Sequence, residues 1–344
     1  MANKTYTVAV VGATGAVGEQ MLKFLEERQF PVKELRPLSS ARSAGSTIRF
    51  RGEDIVVQEA LPEAFEGVDI ALFSAGGSVS EKLAPEAVKR GAVVIDNTNA
   101  FRMHPDVPLV VPEVNKEAIR QHKGIIANPN CSTIQMVVAL KPLYDRYGLD
   151  RVIVSTYQAV SGSGWQAAIE LQKQSQAALN GDELPLQVMP VGKLDKHYPI
   201  AFNVLPQCDV AQDNGFTLEE MKMDRETQKI FNDHEIKVTA TCVRVPVYRG
   251  HSESVYVELK KDFDLEEVRT LLSESSGIIV EDQIQEQIYP MPIHVENRTE
   301  VFVGRIRRDL HHPHALNLWV VADNLLKGAA TNAIQIAEAL ISEE

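Results

Sequence analysis

Asn128-Pro129-Asn130-Cys131-Ser132-Thr133 puts a thiol where a short apolar run, Gly124 to Ala127, gives way to a segment with Met136, Val137 and Leu140 at helical spacing. A cysteine that opens a helix lies in the positive end of the helix dipole, which favours thiolate. An ordinary thiol, with pKa about 8.5, is only a few per cent ionised at neutral pH, so lowering it by roughly one or two units makes the nucleophile abundant. The other two cysteines lack such a setting. Cys208 falls in a stretch without periodicity and Cys242 inside the β-branched run VTATCVRV, so both read as packing residues. His251, in Gly250-His251-Ser252-Glu253-Ser254 just before an apolar alternation, offers a proton carrier, because an ordinary imidazole titrates near neutrality. Taken alone, a histidine at a strand start is more often structural. His311-His312-Pro313-His314 stands between two strand-like runs, away from any Cys or carboxylate cluster, and reads as a surface turn rather than a metal site.

A second chemical signal lies near the chain start. Gly12-Ala13-Thr14-Gly15-Ala16-Val17-Gly18 joins the apolar run Thr5 to Val11 to residues 16 to 28, where Val17, Met21, Leu22 and Leu25 have helical spacing. Glycines there permit close backbone approach, and the free N–H groups of a helix N-terminus suit a dinucleotide pyrophosphate. The spacing is G-x-x-G-x-x-G, a variant of the commoner fingerprint. NAD sites usually place an acid at the end of the second strand to bond the ribose 2′-hydroxyl. Here that strand ends Leu38-Ser39-Ser40-Ala41-Arg42-Ser43, with no acid. Arg42 with Ser39 and Ser43 makes a cradle for a 2′-phosphate, so NADP(H) is the expected cofactor.

The elements that must hold these groups follow from the apolar pattern. Strand-like runs at Val32 to Leu38, Asp54 to Gln58, Ile70 to Ser74, Ala92 to Asp96 and Gly124 to Ala127 alternate with helices, one of them about Ser78 to Arg90. That alternation predicts a doubly wound α/β sheet of Rossmann type over the first 130 residues or so. Beyond a helix at Ser132 to Tyr147 come longer alternating runs: Arg151 to Ala159, Lys237 to Arg244, Ser252 to Leu259, Glu300 to Asp309 and Leu316 to Ala322. These predict an α+β second domain with a mostly antiparallel sheet, and helices near Gly164 to Leu179, Leu218 to Asn232 and Leu265 to Ser273. A last helix covers Asn324 to Leu340, broken near its start by Gly328, and Gly181 to Gly215 reads as loop or intersubunit arm.

Length and composition agree. At roughly 150 residues per domain, 344 residues predict two domains, divided as 1–130 plus 324–344 and 131–323. Three cysteines, an odd number, argue against a secreted disulfide framework and for a reducing, cytoplasmic setting. With 35 Lys and Arg against 47 Asp and Glu, the net charge of −12 disfavours nucleic acid and anionic membranes as partners. No apolar stretch approaches the roughly 20 residues of a membrane span, and Met1 to Thr5 leads into a strand without a signal peptide.

Read together, VAVVGATGAVG, SSARSAG, DNTNAFRM, VVPEVN, NPNCSTIQM, YQAVSGSG, FNVLPQ, EEMKM, ATCVRVPV-x-x-GHSES and WVVADNLLKGAA resemble, in order and nearly end to end, the aspartate-semialdehyde dehydrogenases of the bacterial NADP-dependent kind. The resemblance implies that Cys131 is the nucleophile, His251 the acid/base and Gln158 the residue that orients substrate and thioester. It also implies phosphate ligands at Arg102 and Lys222, a carboxylate grip at Arg244, an amine acceptor at Glu219, and a phosphate or substrate contact at Asn130. Ser161 and Gly162 match positions near the nicotinamide end of the cofactor. Asn324 becomes a further cofactor contact, or an N-cap of the last helix.

The implied reaction is reductive dephosphorylation of L-aspartyl 4-phosphate by NADPH through a Cys131 thioester, giving L-aspartate 4-semialdehyde and inorganic phosphate. Its product would feed lysine and diaminopimelate, threonine and methionine synthesis, and the implied assembly is a homodimer. Two other readings remain open: an N-acetyl-glutamyl-phosphate reductase, and an NADP-binding sensor that has lost its chemistry.

Overall fold

The computed structural model describes residues 4–342; Met1–Asn3, Glu343 and Glu344 lie outside them, so the expectation for the extreme N-terminus is not addressed before Lys4. The chain forms two compact units. One runs to Asn130 and resumes at Ala329; the other is Cys131–Gly328.

In the first unit, β1 (Tyr6–Val11) is buried at all six positions, as its unbroken apolar run requires of a strand covered on both faces. The helix α1 (Ala16–Glu27) turns Met21, Leu22, Phe24 and Leu25 inward. β2 (Val32–Ser39) follows, then a separate hairpin of β3 (Thr47–Phe50) and β4 (Glu53–Val56), and the two-residue β5 (Gln58–Glu59). Next come β6 (Ile70–Phe73), α2 (Gly77–Lys89), β7 (Val93–Asp96), the short α3 (Pro112–Asn115) and β8 (Ile125–Ala127). The parallel sheet has the order β5-β2-β1-β6-β7-β8, which places the loop after β1 at the point where the strand order reverses and nucleotides bind. The expected single strand over Asp54 to Gln58 is in fact two, β4 in the hairpin and β5 in the main sheet.

The second unit opens with α4 (Cys131–Tyr147), whose residues 132–140 are all buried. β9 (Leu149–Gln158), α5 (Trp165–Asn180), α6 (Leu218–Phe231), β10 (Lys237–Arg244) and β11 (His251–Leu259) follow. After them come α7 (Leu265–Ser273), β12 (Ile278–Val280), the short α8 (Pro292–Val295), β13 (Val301–Arg308) and β14 (Ala315–Ala322). The sheet order is β10-β9-β11-β14-β13-β12. Its three central pairings are antiparallel, but β10 lies parallel to β9 and β12 parallel to β13, so the sheet is mixed. The helices α4, α6 and α7 pack on this sheet. On β9 the outward residues Ile153 and Tyr157 stay exposed, and the Tyr157 ring lies 5.5 Å from that of Trp319 on β14.

The segment 181–215 carries no long strand or helix, yet it is not loosely attached. Buried Glu170 of α5 accepts the backbone N–H groups of Gln187 and Val188, both at 2.8 Å. One turn along, the Gln174 carbonyl oxygen accepts those of Ile200 and Ala201 at 2.8 and 3.1 Å. The predicted last helix is interrupted: a π turn at Leu326–Ala330 precedes α9 (Thr331–Ser342). α9 belongs to the first unit, where Glu338 pairs with Arg28 at 2.6 Å and Asn332 donates to Asn128 and to the Val110 carbonyl. No helix among the described residues is long and apolar enough to cross a membrane.

Candidate active site

In the first unit, the loop after β1 carries Gly12, Thr14 and Gly15, and the first turn of α1 carries Ala16, Val17 and Gly18. Gly12 has φ +87°, and a Cβ there would sit 2.6 Å from the Ser74 carbonyl oxygen. A Cβ on Gly18 would collide with the Gly12 carbonyl, so both positions require glycine. Gly15 caps α1 with no side-chain acceptor on the first-turn amides, which is the arrangement that receives a phosphate. Thr14 and Ser39 hydroxyls meet at 2.9 Å, joining this loop to the end of β2. Arg42 lies on the exposed turn that follows, with Ser43 beside it. The cradle fits a dinucleotide.

Arg102 and Asn130 also belong to the first unit. Arg102 is buried, its guanidinium donating to the carbonyls of Asn128 and Asn97, both at 2.9 Å. Those carbonyls follow the ends of β8 and β7, so two neighbouring strands fix the arginine's direction. Asn130 is buried at the last position before α4.

The second unit gathers the other candidates around the start of α4. Cys131 is the half-buried thiol of the three, whereas Cys208 and Cys242 are buried. Burial pushes the Cys208 thiol up to about 12 and Cys242 higher still, so neither supplies thiolate. Gly328 backs the nucleophile: a Cβ there would stand 2.7 Å from that of Cys131. Gln158, at the end of β9, donates to the Ser132 hydroxyl at 2.7 Å and to Glu219 at 3.1 Å. Glu219 in turn holds Lys222 at 3.0 Å, and Asp209 takes the same ammonium at 2.7 Å. Lys222 is thus an ion-paired residue in this structure, held between two carboxylates.

Arg244 ends β10 and is buried, donating through Nη1 to the Ala159 carbonyl at 2.6 Å. The N–H of the same residue, Ala159, donates to His251 Nδ1 at 3.0 Å. One residue, Ala159, therefore aims both the guanidinium and the imidazole. Gly162 lies against both: a Cβ there would be 2.9 Å from Arg244 Nη1 and 3.2 Å from His251 Nε2. Ser161 exchanges hydrogen bonds with Asn324, whose Oδ1 also accepts the Gly250 N–H at 2.9 Å. Asn324 follows β14 and clamps the turn before His251 to the turn after β9, rather than capping the last helix.

His251 is fully buried, and burial first, then the neighbouring Arg244 charge, lower its pKa from the ordinary 6.5 to about 3. That shift favours the neutral imidazole in the folded chain. Sequence reasoning missed Asp209, Ser132 and Gln135, the last of which donates to the His251 carbonyl at 3.3 Å. Their roles arise only from contacts between distant segments. The histidines 311, 312 and 314 lie on the turn between β13 and β14, where Asp309 accepts the N–H groups of His311 and His312.

Comparison with known proteins decides the family. A family model described as "Semialdehyde dehydrogenase, NAD binding domain" matches residues 7–122, and "Semialdehyde dehydrogenase, dimerisation domain" matches residues 140–327. Aspartate-semialdehyde dehydrogenase of Bacillus subtilis is 60% identical over 97% of this chain and 96% of its own. The chain belongs to the aspartate-semialdehyde dehydrogenase family. The Aquifex aeolicus member of that family is 56% identical over 98% of each chain. Among solved structures, aspartate semialdehyde dehydrogenase II of Vibrio cholerae complexed with ASA matches with TM-score 0.94 at 50% identity over 99% of both chains. The Candida albicans aspartate semialdehyde dehydrogenase with NADP matches with TM-score 0.75 at 27% identity over 99% of each. As in that family, this chain is an α/β oxidoreductase with a nucleotide-binding unit of Rossmann type and a second unit built on a mixed sheet.

Proposed function

We propose that this chain reduces L-aspartyl 4-phosphate to L-aspartate 4-semialdehyde with NADPH, releasing inorganic phosphate, and so supplies lysine, diaminopimelate, threonine and methionine synthesis in the cytoplasm. The observation that carries the reading is the assembly around α4. The one half-buried thiol opens that helix, and its next residues are bonded to Gln158 and His251. The Bacillus subtilis relative supports the substrate, and the NADP of the Candida albicans neighbour supports the cofactor.

Cys131 thiolate attacks the acyl carbon, the bond from that carbon to the phosphoryl oxygen breaks, and phosphate departs, taking one proton from solvent; Arg102, Asn130 and Lys222 are the phosphate ligands that the family resemblance implies. The thioester left on Cys131 is held by Gln158. Bound NADPH supplies hydride to its carbonyl carbon. Collapse of the resulting alkoxide breaks the C–S bond and returns the thiolate, so no proton need pass at the carbonyl oxygen. His251 suits that oxygen as a neutral donor. Its Nδ1 accepts the Ala159 N–H, which leaves the proton on Nε2. That tautomer stabilises an oxyanion without transferring the proton. Arg244 grips the α-carboxylate, and Glu219 receives the amine. Gly12, Thr14, Gly15, Ala16, Val17 and Gly18 hold the pyrophosphate, Ser39, Arg42 and Ser43 the 2′-phosphate, and Ser161, Gly162 and Asn324 the nicotinamide end.

We also read the open face of the second unit's sheet, with exposed Ile153 and Tyr157, as a homodimer interface, supported by the "dimerisation domain" match. The test of the function is a coupled assay in the reverse direction. Protein, NADP and phosphate are mixed with L-aspartate semialdehyde or, in parallel, N-acetyl-glutamate semialdehyde. Turnover of the first alone, lost in Cys131→Ala, is expected. Preference for the second substrate, or turnover surviving in the variant, would overturn the reading.

A further inference from the structure

Glu253 is a carboxyl group that the mechanism above does not use, and it lies in an unusual place. It follows His251 by two residues on β11, so both side chains point to the same face of the sheet. That face is covered by α4. Glu253 is 0% exposed, and in register it stands between Thr156 of β9 and Val320 of β14. The group facing it from α4 is Gln135, also 0% exposed.

Two orphaned ends meet there. Neither carboxyl oxygen of Glu253 has an aligned donor among the described residues, and the Gln135 carbonyl oxygen has no donor either. The amide nitrogen of Gln135 is already used, donating to the His251 backbone carbonyl. An ionised carboxylate would be a desolvated charge whose neighbouring amide donor, that of Gln135, is shared with the His251 carbonyl. A protonated carboxyl repairs both faults, since its O–H is the donor that Gln135 Oε1 lacks.

We propose that Glu253 is a neutral carboxylic acid and a positioning residue, its O–H donating to Gln135 Oε1 and thereby fixing the amide that holds the His251 backbone. The role in catalysis rests on His251 being the oxyanion donor; the protonation state does not. Burial raises the Glu253 pKa well above the ordinary carboxyl value, outweighing the Gln135 hydrogen bond that acts to lower it. The same logic explains why the site spends a carboxyl where a leucine would pack. Gln135 needs a donor on its oxygen side to keep its nitrogen aimed at His251.

Three measurements on the full-length protein test this. In the infrared difference spectrum of wild type against Glu253→Gln at pH 8, a carboxylic-acid C=O band belonging to Glu253 is expected; carboxylate bands instead would overturn the proposal. Glu253→Gln keeps a donor and the shape, so kcat should stay within about threefold, whereas Glu253→Leu should lose about tenfold in kcat at nearly constant KM, the worth of one buried hydrogen bond. Equal impairment of the two variants, or an unchanged Glu253→Leu, would refute positioning. The His251 ring signal in isotope-labelled protein should move in Glu253→Leu and not in Glu253→Gln. If Glu253→Leu does not fold, Gln135→Leu takes its place with the same expected kcat loss. A wild type that does not turn over aspartate semialdehyde would refute the proposed function, while the infrared and ring signals would still decide Glu253.

Discussion

Replacing His251 by asparagine tests whether the imidazole is a neutral donor or a proton carrier. In the fold its pKa drops from the ordinary 6.5 to about 3, with burial as the larger cause and the Arg244 charge the second; Glu219 opposes both. At about 1.4 kcal/mol per pH unit, that drop disfavours imidazolium by about 5 kcal/mol. The Ala159 N–H aimed at Nδ1 adds a geometric reason, because an imidazolium would present a second hydrogen to that donor. At pH 5 a group with pKa about 3 is about 1% protonated, against nearly full protonation for an ordinary histidine. The unfolded chain therefore binds this proton more readily than the folded protein, and stability contributed by neutral His251 is complete above pH about 6.5. It declines as pH falls from there toward about 3, with about 2 kcal/mol gone at pH 5. Urea unfolding of wild type and His251→Asn at pH 7.5 and pH 5 measures it: the wild type should lose about 2 kcal/mol more than the variant between the two. Labelled-histidine NMR supplies the direct check, with the variant assigning the resonance among the nine histidines. A His251 signal titrating between pH 6 and 8, or equal acid losses in both proteins, would refute the reasoning.

Two further outcomes follow from the binding residues. Arg42→Ala should raise the KM for NADPH by about tenfold or more while leaving that for NADH nearly unchanged, since the exposed guanidinium has only the 2′-phosphate to recognise; equal losses for the two cofactors, read by initial rates, would remove that role. Arg244→Lys should cost about 10- to 100-fold in kcat/KM for the aldehyde, because an ammonium cannot hold the Ala159 carbonyl and both carboxylate oxygens together. An unchanged kcat/KM would place the substrate carboxylate elsewhere.

Much of the fold was legible because its signals are local. The apolar run of β1 against the glycine turn, and the strand-to-helix step at Cys131, each need only a few neighbouring residues. The parallel placement of β10 beside β9 was not. Its alternating burial is that of a half-exposed strand, which reads as antiparallel, and only the crossover through α5 and α6 reverses its direction. The segment 181–215 read as loop because its amides are satisfied by Glu170 and Gln174, which no periodicity within the segment can announce. Asp209 was hidden for the same reason, its partner Lys222 lying on a different element.

His251 shows how residue type and surroundings divide the work. A histidine in a glycine-rich turn before a strand says that an imidazole is present, and imidazole chemistry near neutrality suggests proton transfer. The fold turns against that option chiefly by burying the ring, then by the Arg244 charge beside it, while the Ala159 N–H occupies Nδ1. What remains is a fixed N–H. Because the thiolate both enters and leaves the carbonyl carbon as an anion, a fixed N–H is all that the oxygen of that carbon requires.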